Sequence, residues 1–317
     1  MTGRQSSENT GQTVALTGAT GFLGSQLITS LVKAGLSVRA LTRRPQADRE
    51  NVYWVKGDLD DKDALLELCE GADCIIHCAG VTKALSRDAF FDCNVKGTKN
   101  LLQAAKSKKP TRFILVSSLA AREPQLSHYA ASKAAAEMAV SSGHWPFRWA
   151  IVRPPAIYGP GDMEILKIFK ALKVGILPVP GRKSNQFSMI HVEDMAEIIC
   201  KMTAGGFGGQ IIEPDDGKSG GYTMKEVALA LSGDKKPPRL ITIPSPLLKI
   251  FGILNGIVAR LLRRPAIFTG QKARELAHSD WVSRSARKPH FDNWSPHYSL
   301  KEGLNTTLQW YRQNGFL

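Results

Sequence analysis

Tyr129 and Lys133 stand four residues apart in HYAASKAAAE, and Ser118, in VSSLAA, precedes the tyrosine by eleven residues. On a helix, positions i and i+4 share a face, so the phenol and the ammonium can address one spot. A phenol with a pKa near 10 is a poor acid or base at neutral pH. A nearby cation favours phenolate and lowers that pKa, which makes tyrosine a usable proton shuttle. Ser118, or alternatively Ser117, at the end of a predicted strand, could hydrogen-bond the reacting oxygen. Taken alone, Tyr-x-x-x-Lys is common on surface helices. Its meaning here comes from a second motif near the start of the chain.

That motif is VALTGATGFLGSQL, residues 14–27. Val14 to Thr17 read as a buried parallel strand. The strand breaks into Gly18, Gly21 and Gly24, and a helix pattern begins near Phe22. Glycines allow the tight turn, the close approach of backbone to a diphosphate, and helix-on-strand packing. The helix N-terminus then faces the anion. With strand before and helix after, the pattern reads as a dinucleotide loop.

The elements that must position these groups alternate along the first half. Strands are predicted near 13–17, 37–42, 52–56, 73–77, 112–117 and 148–153, with helices near 22–35, 61–70, 88–108 and 129–143. This alternation implies right-handed βαβ units. The expected fold is α/β: a Rossmann-type doubly wound parallel sheet with a smaller C-terminal α/β substrate lobe. A dinucleotide-binding domain over 12–160, with return elements near 187–213, is followed by a mainly substrate-binding lobe over 161–317. Residues 1–11 are polar, lack the apolar core of a signal peptide, and are expected to be disordered. Ligands in such sheets sit at the carboxyl ends of the strands. The glycine loop, Asp58, the HCAG turn and Ser118 all fall there.

In family order, the chain carries TGATGFLG, GDL at 57–59, HCAG at 77–80, NVKGTKNLL at 94–102, VSS at 116–118, YAASK at 129–133, RPPAIYGPGD at 153–162 and FSMIHVEDMAE at 187–197. These motifs resemble the extended short-chain dehydrogenase/reductases, the NAD-dependent epimerase/dehydratase family, strongly over residues 12–205 and loosely beyond. The resemblance implies catalysis by Ser118, Tyr129 and Lys133, with Lys133 also holding the nicotinamide ribose. It implies cofactor contacts from Gly18, Thr20, Gly21, Phe22, Leu23 and Gly24, and from Asp58 and Leu59 beside the adenine. Cys78, Ala79, Gly80 and Pro154 complete the cofactor set. Asn94 resembles a structural position inside a helix, and His191 and Asp194 resemble packing and capping residues.

The end of the second strand bears on which cofactor is bound. An acid there would hold the adenosine ribose and repel a 2′-phosphate. The chain instead reads LTRRPQAD, with no acid before Asp48. Arg43 and Arg44, with Arg39 as a further candidate, can pair a 2′-phosphate through charge-assisted hydrogen bonds. NADP(H) is therefore favoured over NAD(H).

Three departures narrow the chemistry. Sugar-nucleotide dehydratases of this branch carry acids after the catalytic hydroxyl, where this chain has Leu119 and Ala120. Sugar epimerases place an arginine where Phe187 stands, to grip the substrate diphosphate. The stretch from Ser118 to Tyr129 is also short. The chain thus looks more like the dihydroflavonol-reductase and 3β-hydroxysteroid-dehydrogenase side of the family. That side moves a hydride between NADP(H) or NAD(H) and a ketone or alcohol on a ring-bearing, fairly apolar small molecule. Two alternatives stay open: a nucleotide-sugar epimerase using bound NAD(P), and a non-catalytic NADPH-binding sensor or structural subunit resembling the accessory subunit of respiratory complex I.

The chain is basic, with a net charge of +14. Residues 235–301 hold 13 Lys/Arg against three acids. Within them PLLKIFGILNGIVARLLRR, over 246–264, reads as a helix with Leu247, Ile250, Phe251, Leu254, Ile257, Val258 and Leu261 on one stripe. Its uninterrupted apolar stretch is too short to cross a bilayer, while its flanking cations fit contact with an anionic membrane surface. The competing expectation is packing on the substrate lobe. Capping boxes at Thr223–Glu226 and Ser299–Glu302 predict further helix starts. No nucleic-acid motif accompanies the charge, so no specific nucleic-acid partner is expected. The five cysteines form no CxxC, and no histidine clusters with cysteine or acids at ligand spacing, so no metal site is expected. A cytoplasmic protein, peripheral at the membrane if 246–264 docks there, is the resulting expectation. The resemblance also allows a homodimer through the NVKGT and YAASK helices.

Overall fold

The structure is a computed structural model that describes residues 11–233, 236–248, 250–252, 255, 269–289, 291 and 294–317. The first half runs β1 (Thr13–Thr17), α1 (Phe22–Lys33), β2 (Ser37–Thr42), β3 (Val52–Lys56), α2 (Lys62–Cys69) and β4 (Cys74–His77). It continues through α3 (Arg87–Phe91), a π-helical turn (Asp92–Lys96), α4 (Gly97–Lys108), β5 (Arg112–Val116), a 3₁₀ turn (Leu119–Arg122), α5 (His128–Ser141) and β6 (Arg148–Val152). The remainder comprises β7 (Ala156–Tyr158), α6 (Ile165–Val174), β8 (Ile176–Pro180), β9 (Gln186–Phe187), β10 (Met189–His191), α7 (Val192–Thr203) and β11 (Gln210–Ile212). It closes with β12 (Tyr222–Thr223), α8 (Met224–Ser232), β13 (Arg239–Ile243), α9 (Gly270–Ala277), β14 (Asp280–Trp281) and α10 (Leu300–Gln313).

Seven strands form one parallel sheet in the order β11-β6-β5-β4-β1-β2-β3. Its strands are short apolar runs buried on both faces, as parallel strands under two helix layers must be. Alternate residues go to opposite cores. Val14, Leu16, Ile76, Ile114 and Val152 join α1 and α7 on one face, while Ala15, Ile75, Phe113, Leu115 and Ile151 join α2, α4 and α5 on the other. The strand order reverses between β1 and β4, and the crevice for a ligand opens above that point.

Each predicted strand and helix of the first half is present within a residue or two. The exception is the long helix predicted over 88–108, which is interrupted by the π turn carrying Asn94. Such a turn rotates a side chain out of helical register. A third core, built from Tyr158, Phe169, Val227, Leu304 and Tyr311, belongs to the C-terminal lobe. Both predicted capping boxes form there, at the starts of α8 and α10. Trp294, in the segment before α10, packs with Phe291 against the core shared by α1, α7 and the main sheet. The predicted disordered start lies outside the described residues as far as residue 10, as does most of the 246–264 segment. Among the described residues, no helix is long and apolar enough to cross a membrane.

Candidate active site

The glycine loop lies at the carboxyl end of β1, and two of its glycines are sterically required. Gly18 has φ +74°, and a Cβ there would sit 2.6 Å from the Ala79 amide nitrogen. A Cβ on Gly24 would come within 1.9 Å of the Gly18 carbonyl oxygen. The loop and the HCAG turn are thus packed backbone on backbone. Gly21 N-caps α1 with no side-chain cap and no acid in the first turn. That end of the helix is left to an anion. Thr20 is exposed on the loop, Leu23 is buried behind it, and the Phe22 ring lies against Gly161 of the YGPGD segment.

A hydrogen-bond chain ties the loop to the next strand. The Ala79 N–H donates to Thr17 Oγ1 (3.2 Å), which lies 2.7 Å from His77 Nδ1. His77 Nε2 lies 2.9 Å from Thr98 Oγ1, and Thr98 donates to the Asn94 carbonyl (2.6 Å). Because the Thr98 hydroxyl proton is committed to that carbonyl, Nε2 is the protonated nitrogen and Nδ1 accepts from Thr17. Burial, with Lys133 nearby, pushes His77 down to about 3, so the ring is neutral. Burial likewise pushes the Cys78 thiol up to about 11.

Asn94, expected to be structural, reaches the site. Its Oδ1 accepts from Val81 N–H at 2.8 Å, and its Nδ2 donates to Val81 O and to Ser132 Oγ (2.9 Å) on α5. A Cβ on Gly80 would lie 3.1 Å from Asn94 Oδ1 and 3.7 Å from Lys133 Nζ. The HCAG glycine, Asn94 and Lys133 therefore meet at one point. The π turn that places Asn94 was not legible, since nothing in NVKGT marks where a helix widens.

Ser127 N-caps α5, accepting from Ala130 N–H, and this starts the helix one residue before Tyr129. Tyr129 and Lys133 project from the same face. The Ser118 side chain, not that of Ser117, is the serine that acts on the Tyr129 hydroxyl, where it works to lower the phenol's pKa. Ser117 points the other way and donates to Glu137 Oε1 at 2.5 Å. Burial pushes Tyr129 up to about 12, the Ser118 side chain acting against it. The expectation that Lys133 depresses this phenol is not met. Lys133 Nζ donates to the Val116 carbonyl at 2.7 Å, and burial lowers its own pKa. At neutral pH the tyrosine is therefore a protonated acid.

Behind the triad lies an ionic network with no sequence signature. Glu137, one helical turn beyond Lys133, accepts from Arg153 Nε (2.9 Å) and Nη2 (2.6 Å). Arg153 also reaches Glu213 Oε1 (3.3 Å), and Arg122 and Arg287 bring two further cations to the fully buried Glu213. Arg122 also donates to the carbonyls of Val282 and Asp280, pinning the short loop after Ser118 onto β14. From the other side α9 holds the start of α5, where Gln271 accepts from the His128 N–H and buried Glu275 accepts from Ser127. Leu119 and Ala120 are buried, and the Leu119 N–H donates to the Pro154 carbonyl (3.0 Å).

At the end of β2, Arg43 and Arg44 are exposed and pair with no acid among the described residues. Arg39 is engaged elsewhere: it donates to the Glu67 carbonyl and stacks over Tyr53, so it drops out of the phosphate set. Asp58 accepts from the Asp60 and Asp61 amides through Oδ1 and so braces its own turn. Leu59 packs against Gly97 of α4. Phe187 lies in the β12-β9-β14 ribbon and packs on the lobe core. Asp194, Glu197 and His297 converge within 4.8 Å, a grouping the sequence did not reveal. Their own contacts account for it, because Asp194 accepts from the His297 and Tyr298 amides and Glu197 pairs with the His297 ring. A cavity of about 700 Å³ opens beside edge strand β11, lined by Lys201, Phe207, Arg287 and Phe291, away from the triad.

This geometry, a glycine loop at the switch point beside a Ser-Tyr-Lys cluster, agrees with the sequence comparisons. The model of the NAD dependent epimerase/dehydratase family matches residues 14–212. The chain belongs to that family. It is an NAD(P)-dependent oxidoreductase of the extended short-chain dehydrogenase/reductase type. It is 42% identical to a ceramide reductase of Caulobacter vibrioides, over 96% of each chain. It is 26% identical to a 2-alkyl-3-oxoalkanoate reductase of Shewanella oneidensis, over 91% of this chain and 84% of the other. Among solved structures, gox2253 superimposes with a TM-score of 0.71 at 22% identity, covering 96% of this chain and 99% of that one, and so supports the fold.

Proposed function

We propose that this protein reduces a ketone on a long-chain, lipid-like substrate with NADPH. The observation that carries the reading is the half-buried Tyr129 beside Ser118, its pKa pushed up so that the phenol keeps its proton. A protonated phenol can give a proton to a carbonyl oxygen, as reduction requires. Ser118 orients that oxygen, and Lys133, fixed on the Val116 carbonyl, supplies positive charge beside it. Glu137, through Ser117 and Arg153, keeps the serine strand and the tyrosine helix in register. Bound NADPH supplies the hydride.

Family members that hold a dinucleotide need a glycine cradle and an open helix end, and Gly18, Gly24 and the uncapped start of α1 fit that need. Arg43 and Arg44, free of acids, favour a cofactor carrying a 2′-phosphate. This reading assigns Asp58, whose Oδ1 is taken by its own turn, to the adenine edge, and Pro154, Ala79 and Gly80 to the nicotinamide side. The substrate class rests on Phe187 in place of a diphosphate-gripping arginine, and on the ceramide and alkyl-oxoalkanoate reductases among the relatives. The likeness to the ceramide reductase narrows it further, to the keto form of a ceramide-type lipid.

The test is NADPH oxidation by the purified protein, followed by the loss of NADPH absorbance, with an N-acylated long-chain amino ketone and, separately, with a nucleotide sugar. Oxidation with the lipid ketone alone supports the proposal. Turnover of the sugar nucleotide without net NADPH loss would replace it with epimerisation.

A further inference from the structure

The lobe that follows the dinucleotide core exposes apolar side chains among its described residues. In the parallel β8–β13 ribbon, Ile176 pairs with Arg239 and Pro178 with Ile241, so these four side chains share one face. That face is the outer one: Ile176 and Ile241 are 44% and 43% exposed, while Leu177 and Val179 of β8 are buried. The chain then turns at 244 into helical turns at 245–248 and 250–252. There Leu248 and Gly252 face inward, Leu248 buried and Gly252 packed against the backbone of Thr269 and Gly270. Leu247, Ile250 and Phe251, at i, i+3 and i+4, face outward and are 48%, 53% and 60% exposed. A helix apolar on both faces needs a cover on both.

Charge identifies the cover. From 235 to 274 the sequence has nine Lys/Arg and no Asp/Glu. A cationic stretch with outward apolar side chains matches an anionic lipid surface, where hydrophobic insertion and headgroup attraction add. We propose that Leu247, Ile250 and Phe251, with the outer face of the β8–β13 ribbon, seat this protein on the surface of a bilayer containing anionic lipid. The proposal rests on the functional reading above, because a lipid ketone resides in such a bilayer. It also gives the lobe a mechanical role. Gly252 abuts the start of α9, and α9 holds the N-terminus of the Tyr129 helix through Gln271 and Glu275. The docking face and the proton donor are thus joined by one short chain of contacts.

The experiment is flotation of the full chain with phosphatidylcholine vesicles, with and without phosphatidylglycerol, using wild type and a Leu247→Ser/Ile250→Ser/Phe251→Ser variant. Light scattering without lipid and NADPH binding are run alongside. Burying a large apolar side chain is worth more than about tenfold in partition, so removing three lowers binding at least about a hundredfold even with incomplete insertion. Wild type is expected to float with the anionic vesicles, in a salt-sensitive way, and the variant to stay behind while still binding NADPH. Equal flotation of the variant, or indifference to phosphatidylglycerol, overturns the proposal. So does a wild-type dimer that the variant converts to monomer with no lipid binding, which would make the face a contact between two copies. Activity on a short, water-soluble ketone separates the two readings. Flotation without any ketone reduction leaves docking standing and removes the reductase, and reduction without flotation does the reverse.

Discussion

Replacing Glu137 with glutamine tests whether the network behind the triad positions it. The Glu137 carboxylate accepts three hydrogen bonds, from Ser117 at 2.5 Å and from Arg153 at 2.9 and 2.6 Å. A glutamine fills the same volume but offers one oxygen, and its NH₂ cannot accept from either partner. At least one bond to the buried guanidinium is lost, and a hydrogen bond to a charged group is worth about 1.5–3 kcal/mol. As an anionic partner Arg153 keeps only Glu213, at 3.3 Å. A net loss of about 2 kcal/mol follows, or a fall in Tm of roughly 4 °C at the lower end of the usual conversion. Glu137→Ala strands the whole buried charge and should cost about 3–5 kcal/mol. Ser117 is freed from its anchor beside Ser118, so kcat should fall about tenfold through misplacement, with the KM for NADPH unchanged. Differential scanning fluorimetry and steady-state NADPH oxidation read the two effects. An unchanged Tm with an unchanged kcat would refute the assignment of Glu137 as a positioning residue.

Removing Arg43 and Arg44 together should weaken NADPH binding about 10- to 100-fold and leave NADH binding alone, as read by nucleotide fluorescence titration. Equal losses for both cofactors would contradict a 2′-phosphate contact. Because burial holds Tyr129 up to about 12, ketone reduction should be flat with pH across the neutral range, while oxidation of the product alcohol, which needs the phenolate, should rise with pH. Matching profiles in both directions would exclude the tyrosine as the titrating group. His77, pushed from 6.5 down to about 3, stays neutral in the fold while the unfolded chain takes up its proton. Its contribution to stability is complete above pH 6.5 and is lost at about 1.4 kcal/mol per pH unit as pH falls toward 3. His77→Gln should flatten that part of an acid-denaturation curve, and an unaltered slope would deny the buried neutral ring.

The sheet was legible because its strands are apolar runs punctuated by glycine turns, and because strand and helix patterns alternate with few exceptions. Gly18, Gly24, Ser118, Tyr129 and Lys133 were legible because local spacing and strand-end placement fix where they sit. What stayed hidden is what long-range contact decides. Arg39 and Arg43 look alike in SVRALTRR, yet only tertiary packing delivers Arg39 to the Glu67 carbonyl and leaves Arg43 exposed. The pairing of Arg153 with Glu137 and Glu213 joins residues 16 and 60 positions apart. The phenol's pKa was misread for the same reason. Helical spacing places Lys133 beside Tyr129, but the Val116 carbonyl takes its ammonium and burial governs the hydroxyl. Asn94 needed a π turn that composition does not announce.

The most direct test of the central claim follows the hydride itself. NADPH carrying deuterium at its transferable position is mixed with the protein and an N-acylated long-chain amino ketone, and the lipid is analysed by mass spectrometry beside a Tyr129→Phe control. The expected result is one deuterium on the new carbinol carbon for each NADPH consumed, with the phenylalanine variant slower by a factor of about 100 or more. A lipid without label, or a Tyr129→Phe protein that transfers deuterium as fast as wild type, would contradict the account.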